Sequence, residues 1–301
     1  HSTSKPMNQL TTSDHKALTT RYWTLALLTM VYALSILDRY ILGIVLPQIK
    51  EEMALSDMSL GLLSGTAFAL FYATLGLPIA RLADRFSRKK IIAYSVLTFS
   101  VMTALCGVTK NFVALFIARM GVGVGEAGTS PSSYSIISDL FQKDQRSTAM
   151  TIFFIGGNVG ILAGFIAGGY VAAHYGWREA FLVAGIPGVI LAPLLLMTLR
   201  EPNRGLSDKL THASEAKKSS LMETTRFVLS QTSYRHLIMG QALLLVVMNG
   251  VVGWLPSFLE RSHGMAADSV GLQMGLAMGL AGPIGMLVVA RLADRYTRRD
   301  L

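Results

Sequence analysis

Ala80-Arg-Leu-Ala-Asp84-Arg85-Phe-Ser-Arg88-Lys89 recurs as Ala290-Arg-Leu-Ala-Asp294-Arg295-Tyr-Thr-Arg298-Arg299, at an offset of 210 residues. Gly61, Leu62 and Gly65 return at the same offset as Gly271, Leu272 and Gly275, and Pro47 returns one residue out of register as Pro256. A repeat this long and this faithful is the signature of an architecture built from copies of one unit. What lies between the copies decides what the unit is. Met58–Ala80, Ile91–Thr109, Ser147–Trp177, Ala180–Leu199, His236–Leu259 and Ser269–Ala290 hold no Asp, Glu, Lys or Arg. Each is near or above the ~20 residues that cross a ~30 Å hydrocarbon core. Tyr22–Pro47 and Asn111–Ser138 are equally apolar but carry charges inside. Eight membrane helices are therefore expected, with Ala172–Gly176 read as a loop after the fifth.

Composition agrees. Of 301 residues, 51% are hydrophobic and 15% are charged, against about 25% charged in a soluble domain. The single Cys106 excludes a disulfide scaffold and a Cys-based zinc site. The net charge of +9 is a matter of position. With the N-terminus inside, cytoplasmic segments hold 21 Lys/Arg and outer loops hold 4, the asymmetry of the positive-inside rule. The excess charge is thus a topology signal, and nucleic acid is not an expected partner.

Six helices precede the polar, basic stretch 200–235, and two follow it. The expected organisation is a cytoplasmic tail (1–21), an N-terminal six-helix half (22–199), a cytoplasmic linker (200–235) and the first two helices of a second half (236–301). Within the linker, Leu221–Ser230 has the pattern of a short amphipathic helix at the membrane surface. Six crossings return the chain to its starting side, so the copies are parallel. Parallel six-helix repeats are the two halves of a major facilitator. The fold class expected is an all-α membrane protein with eight of twelve helices present, the last four lying beyond residue 301.

The motifs carry the same resemblance. The repeated loop resembles the superfamily signature between helices two and three, with Ala80, Ser87, Ala290 and Thr297 at its glycine positions. Leu37-Asp38 through Gly43 to Leu46-Pro47 resembles the first-helix motif. Arg119, Gly123, Gly125 and Ala127 match the fourth-helix motif. Gly160, Gly164, Gly168 and Gly169 match the fifth, with Phe165 where antiporters often have Pro. A closer resemblance is to the Spinster family, bacterial branch: Asp38-Arg39-Tyr40, Arg119 with Gly125-Glu126-Ala127 and Pro131, Ser138-Asp139-Leu-Phe141, and Glu201-Pro202-x-Arg204-Gly205. That resemblance implies a secondary transporter of the cell (inner) membrane, monomeric and without a cofactor. It also implies a lysolipid or phosphorylated sphingoid substrate moved by alternating access, with protons as the coupling ion. Alternatives are a sugar-phosphate, organic-anion or drug transporter of the same superfamily, or a non-transporting receptor or scaffold.

Without the family, four residues stand out. Asp38, Arg39, Arg119 and Glu126 are the charges well inside a helix. Such residues are costly at membrane depth and mark partners or a wet path. At ~1.5 Å per residue, Asp38 lies ~14 Å and Arg119 ~12 Å below the outer helix ends, so the two are level. Glu126 is two turns deeper on the face of Arg119. Glu126 and Asp38 are the expected proton carriers; Arg119 and Arg39 are the expected anchors for an anionic headgroup, since a guanidinium binds phosphate or carboxylate bidentately. The superfamily resemblance assigns Asp84, Arg85, Arg88, Asp139, Asp294 and Arg295 to an inner gate, with Asp139 pairing Arg88 or Arg85. Gly156, Gly160, Gly164 and Gly168, and Gly271, Gly275 and Gly279, form every-fourth-residue lines that permit close helix packing, and the superfamily resemblance implies that the helices carrying them face each other across the halves.

Other patterns carry no chemistry. Gly123-Val-Gly125-Glu-Ala-Gly128 spells a dinucleotide fingerprint, but it lies inside a membrane helix with no strand before it. The six His never fall at ligand spacing, so no metal site is expected, and no catalytic grouping suggests an enzyme.

Overall fold

The computed structural model describes residues 12–204 and 221–285, without the side chains of residues 12–17, 77, 80, 84 and 221–224. Among them the chain is helical throughout: α1 (Thr12–Met53), α2 (Asp57–Gly61), a π-helical turn Leu62–Thr66, α3 (Ala67–Arg85), α4 (Arg88–Cys106), α5 (Phe112–Glu126), α6 (Thr129–Leu140), α7 (Lys143–His174), α8 (Trp177–Thr198), α9 (Leu221–Ser230), α10 (Thr232–His263), α11 (Ala267–Leu276) and a second π turn, Ala277–Ala281. Seven segments among the described residues are long and apolar enough to span a membrane, from Leu18–Met53 to Thr232–His263. The eighth expected span starts with α11 and is described only to residue 285. Asp294 and Arg295 lie outside the described residues.

Local chemistry accounts for the helix ends. Ser56, Ser87 and Asn111 stand at N-caps and accept from the backbone N–H groups of Ser59, Lys90 and Ala114, satisfying donors that a helix start leaves free. Gly264 closes α10 at φ 63, the left-handed C′ position that glycine takes without strain. The segment Ala172–Gly176, expected as a loop, is helical to His174, and the chain turns only at Gly176, φ 108. Its small residues are as compatible with helix as with loop, and the glycine that needs a positive φ marks the true end.

The fourth expected span is interrupted. α5 ends at Glu126, and α6 begins at Thr129. Pro131 has no N–H to give the Ala127 carbonyl, and the Thr129 hydroxyl donates to the Glu126 carbonyl at 2.8 Å. The break sits directly beside the deepest acidic residue.

Glycine lets the helices close on one another. A methyl group at Gly156, Gly160 or Gly164 would strike backbone of α1 at Thr29, Ala33 or Leu37, and one at Gly168 would strike Ile41. The α7 line therefore packs within the N-terminal half, while α7 itself also faces α11. An i, i+4 line is a single face, and α1 occupies it. The contact with α11 uses the neighbouring face: Gly169 meets Ala267, Gly271 meets Phe165, Gly275 meets Ile166 and Gly279 meets Leu162. Toward the end assigned to the outside, Gly43 and Gly61 also approach Gly253 and Trp254 of α10, and Asp57 accepts from both Lys50 (2.7 Å) and Arg261 of α10 (2.9 Å). The opposite half of α10, by contrast, is exposed from Thr232 to Gly250.

Candidate functional site

Two ion pairs occupy one layer inside the bundle. α1 turns 100° per residue, so Asp38 and Arg39, adjacent in sequence, face different neighbours. Asp38 points toward α4 and α5. There Arg119 Nη1 donates to Oδ2 at 2.9 Å, and the Thr103 hydroxyl donates to Oδ1. Both charged side chains are sealed, at 3% and 2% exposure. Arg39 faces α3 and α5. Its Nε and Nη2 donate to Glu126 Oε2 at 2.8 and 2.6 Å, and the Ser35 hydroxyl, one turn earlier on α1, donates to the same oxygen at 2.6 Å. Glu126 is fully buried, but the Arg39 side chain is 32% exposed. The rings of Phe68 and Tyr72 lie 4.8 and 4.9 Å from the Arg39 guanidinium, within cation–π range.

The levels of Asp38 and Arg119 are as the helix arithmetic required, and the two pair. Glu126 pairs with Arg39 rather than with Arg119 on its own helix. Two turns of helix, ~10 Å, separate Arg119 from Glu126; Arg39 starts at a similar depth on α1, so its long side chain spans the gap, and Ser35 stands one turn deeper. Two buried atoms in the layer lack a hydrogen-bond partner: Glu126 Oε1 and Arg119 Nε. The layer can hold protons on carboxylates and offer one guanidinium to an anion. That guanidinium belongs to Arg39, because Arg119 is enclosed.

A second cluster sits at the end assigned to the cytoplasm. Arg88, 2% exposed, bonds Asp139, the Ser135 hydroxyl (2.8 Å), the Pro202 carbonyl (2.8 Å) and Glu201 Oε1 (3.4 Å). Glu201 also accepts from the Ser87 hydroxyl and from the Arg88 backbone N–H. Burial alone raises the Glu201 carboxyl, but these donors outweigh it and hold the group below the usual carboxylate range. Arg204 Nη2 bonds the carbonyls of Ala83 and Phe86 at 2.7 and 2.9 Å. Of the residues expected at the inner gate, Arg88 and Asp139 come together. Arg85 is exposed, the Asp84 side chain lies outside the described part, and so do Asp294 and Arg295. The described partners of Arg88 are Ser135 and Asp139 on α6 and Glu201 and Pro202 at the start of the linker, so the cluster fastens the loop to α6 and to the chain after α8.

Sequence reasoning missed Ser35, Thr103, Ser135 and the contacts that Glu201 and Arg204 make with the loop after α3. Phe68 and Tyr72 were missed as well. Among the described residues no group of three or more metal-ligating side chains is assembled.

Fold and site together define a multi-pass helical membrane protein with paired charges in its helix interiors. The chain belongs to the Major Facilitator Superfamily, whose family model matches residues 28–301. Its particular likeness is to Spinster proteins. It is similar to a bacterial homologue of the human lysosomal transporter Spinster, solved in an inward-facing, unoccupied conformation, at TM-score 0.82 and 31% identity, covering 93% of this chain and 64% of that one. It is 31% identical to an MFS-type efflux pump of Mycolicibacterium smegmatis, over 93% of this chain and 64% of the relative. It is 30% identical to protein spinster homolog 1 of Xenopus tropicalis, over 91% of this chain and 54% of the relative. The chain thus spans about half to two thirds of the length of these relatives. The family and these relatives are transporters, not enzymes.

Proposed function

We propose that this protein is a proton-coupled secondary transporter of an amphipathic anionic, lipid-like substrate, of lysolipid or phosphorylated sphingoid class, working by alternating access in the cell (inner) membrane. The observation that carries this reading is the half-open Arg39–Glu126 pair, a buried acid held by a guanidinium that a ligand can reach. Buried ion pairs are poor stabilisers compared with apolar packing, and charges at membrane depth mark transport paths. Glu126 is the principal proton carrier and Asp38 the second. Arg39 is the anchor for the headgroup, with Arg119 holding Asp38 behind it. Arg88 and Asp139, with Asp84, Arg85, Asp294 and Arg295, form the inner gate. Protons are the coupling ion, and no cofactor or nucleic acid is needed; the working unit is a monomer among membrane lipids.

The test is uptake into proteoliposomes with and without a pH gradient, comparing lysophosphatidylglycerol with an uncharged monoacylglycerol. Gradient-stimulated uptake of the anionic lipid alone is the expected result. Equal uptake of both, or none driven by the gradient, would count against the reading. The name of the mycobacterial relative, an efflux pump, favours a second reading in which the cargo is exported; uptake of an amphipathic drug into inverted vesicles that lysolipid does not inhibit would support it. A non-transporting scaffold would be indifferent to Glu126→Gln.

A further inference from the structure

α10 meets the N-terminal half toward the end assigned to the outside, where Gly253 and Trp254 approach Gly43 and Gly61. The chain is folded to make a bridge there. α1 ends at Met53, and Ala54 turns at φ 50, a left-handed backbone that a residue with a β-carbon adopts only at a cost. The Leu55 N–H closes the turn on the Lys50 carbonyl at 3.1 Å. Asp57 is thereby laid against the end of α1, where it accepts from Lys50 at 2.7 Å and from Arg261 of α10 at 2.9 Å. One carboxylate thus joins the two halves.

Beside this bridge lies a recess of about 570 Å³, walled by Pro47, Lys50, Glu51 and Ala54 on one side and by Glu260 and Arg261 of α10 on the other. A water takes ~30 Å³ of liquid volume, so outside water and its protons reach this wall without passing the central charge layer. Glu260 Oε1, however, is buried and has no hydrogen-bond partner among the described residues.

We infer that Glu260 is a proton-operated catch between the halves, neutral while they are shut at the outer side and ionised once they part, so that outside pH sets how readily the protein opens outward. The catch acts on the conformational equilibrium, whatever the cargo, and does not involve Glu126.

An ionised carboxylate needs donors or water, and in the shut form Oε1 has neither, so ionisation is costly there. Separating α10 from α1 gives that oxygen to water and removes the cost. Among the described residues, Arg261 is the charge that acts on Glu260, so an ionised Glu260 also draws on the guanidinium that bridges to Asp57. The other charged groups at this end give no relief. Lys50 is committed to Asp57, and Glu51 adds negative charge to the same recess. Glu52 is held by Trp177 and Arg178 of α8. His263 packs edge-on against Phe258 at 5.4 Å, and Asp268 of α11 accepts from the Ser269 N–H. On opening, the Glu260 O–H gives its proton to outside water; on closing, the carboxylate takes one back. Below ~4.3, the value of a solvated Glu, both forms are neutral and pH has no effect. Above it the open form is ionised and the shut form is not, so each pH unit lowers the shut-to-open ratio by up to about tenfold.

The experiment measures the distance between spin labels at Lys110→Cys and Ser262→Cys, both exposed positions at the outer ends of the two halves. The full-length protein is held in nanodiscs through an acid-to-alkaline pH series; Cys106 is buried and stays unlabelled. The population at short distance is expected to fall as pH rises, with the slope given above, both with Glu126 intact and in Glu126→Gln. Glu260→Gln keeps the shape, cannot ionise, and holds the short distance at every pH. Glu260→Asp, which can ionise, keeps a slope, and so does His263→Gln. A narrow short distance itself reports a folded protein, so misfolding cannot imitate the Glu260→Gln result. A slope that survives Glu260→Gln, a slope lost in His263→Gln, or no slope with all native acids present overturns the inference. A slope lost in Glu126→Gln overturns it as well, and makes the central acid the sensor.

Discussion

Asp38 and Arg39 are neighbours on α1 and belong to two ion pairs of the same layer, one sealed and one open. Arg119 and Asp38 are both buried, and Asp38 also accepts from the Thr103 hydroxyl. Arg39 and Glu126 are just as short in contact, but one member is a third exposed and the other has an oxygen to spare. A pair whose members cannot be reached by ligand or water fixes helix position, and a pair with one reachable side can change partners. The difference separates what holds α1 to α4 and α5 from what responds to cargo.

Breaking the sealed pair has the largest expected effect on stability. Arg119→Ala leaves Asp38 buried without its cation, at a cost of about 3–5 kcal/mol, and melting in detergent falls accordingly. The double variant Asp38→Asn/Arg119→Gln recovers most of that loss, because no charge is left unpaired. If the double variant melts as low as Arg119→Ala, the pair is not a mainly structural element.

The inner cluster comes next. Arg88→Ala removes charge-assisted bonds to Asp139 and Glu201 and a bond to the Pro202 carbonyl; both acids are partly exposed, so water replaces much of what is lost and the net cost is about 1.5–3 kcal/mol in all. A fall in melting temperature smaller than that of Arg119→Ala is expected. The same cluster sets a pH dependence. The carboxyl of Glu201 is held below its unfolded value, so its contribution is complete above the ordinary Glu pKa of ~4.3 and is lost as pH falls through the lower folded value. Glu201→Gln should flatten melting temperature against pH on that acid side. A curve unchanged by the substitution would remove Glu201 from the cluster's energetics.

Glycine lines sharpen the contrast at a smaller scale. Gly160→Ala drives a methyl into the Ala33 carbonyl within one half, an overpacking cost of about 1–3 kcal/mol seen in melting. Gly271→Ala meets Phe165 across the α7–α11 contact, so it should shift cross-linking between the halves more than it shifts melting. Equal behaviour of the two variants would mean that both contacts serve stability alone.

Span count, repeat and depth of the charges were legible in the sequence because each rests on a pattern of many residues or on helix rise, which ~1.5 Å per residue makes nearly metric. The shared level of Asp38 and Arg119 followed from depth, which left Arg39 or Arg119 as the partner of Asp38. The pairing of Glu126 with Arg39 did not, because depth says nothing about rotation between helices. The hydroxyls were illegible for a different reason. Thr24, Thr29, Thr74, Ser133, Thr151 and Thr198 all bond the carbonyl four residues back, the ordinary habit of such residues in helices. Ser35 and Thr103 look the same in sequence and differ only in what stands opposite. The face of the α7 glycines was likewise ambiguous: a small-residue line announces close packing without naming the partner. Glu201 and Arg204 were visible as a motif, but their reach to Ser87, Arg88 and Ala83 depends on where α8 returns the chain.

The central claim is that Glu126, paired with Arg39, is the principal proton carrier. It is tested most directly by comparing two fluxes of lysophosphatidylglycerol in proteoliposomes containing Glu126→Gln. One is uptake driven by a pH gradient, and the other is exchange of internal for external lipid at equal pH. Loss of gradient-driven uptake with exchange retained is the predicted result. Gradient-driven uptake at the wild-type level would contradict it.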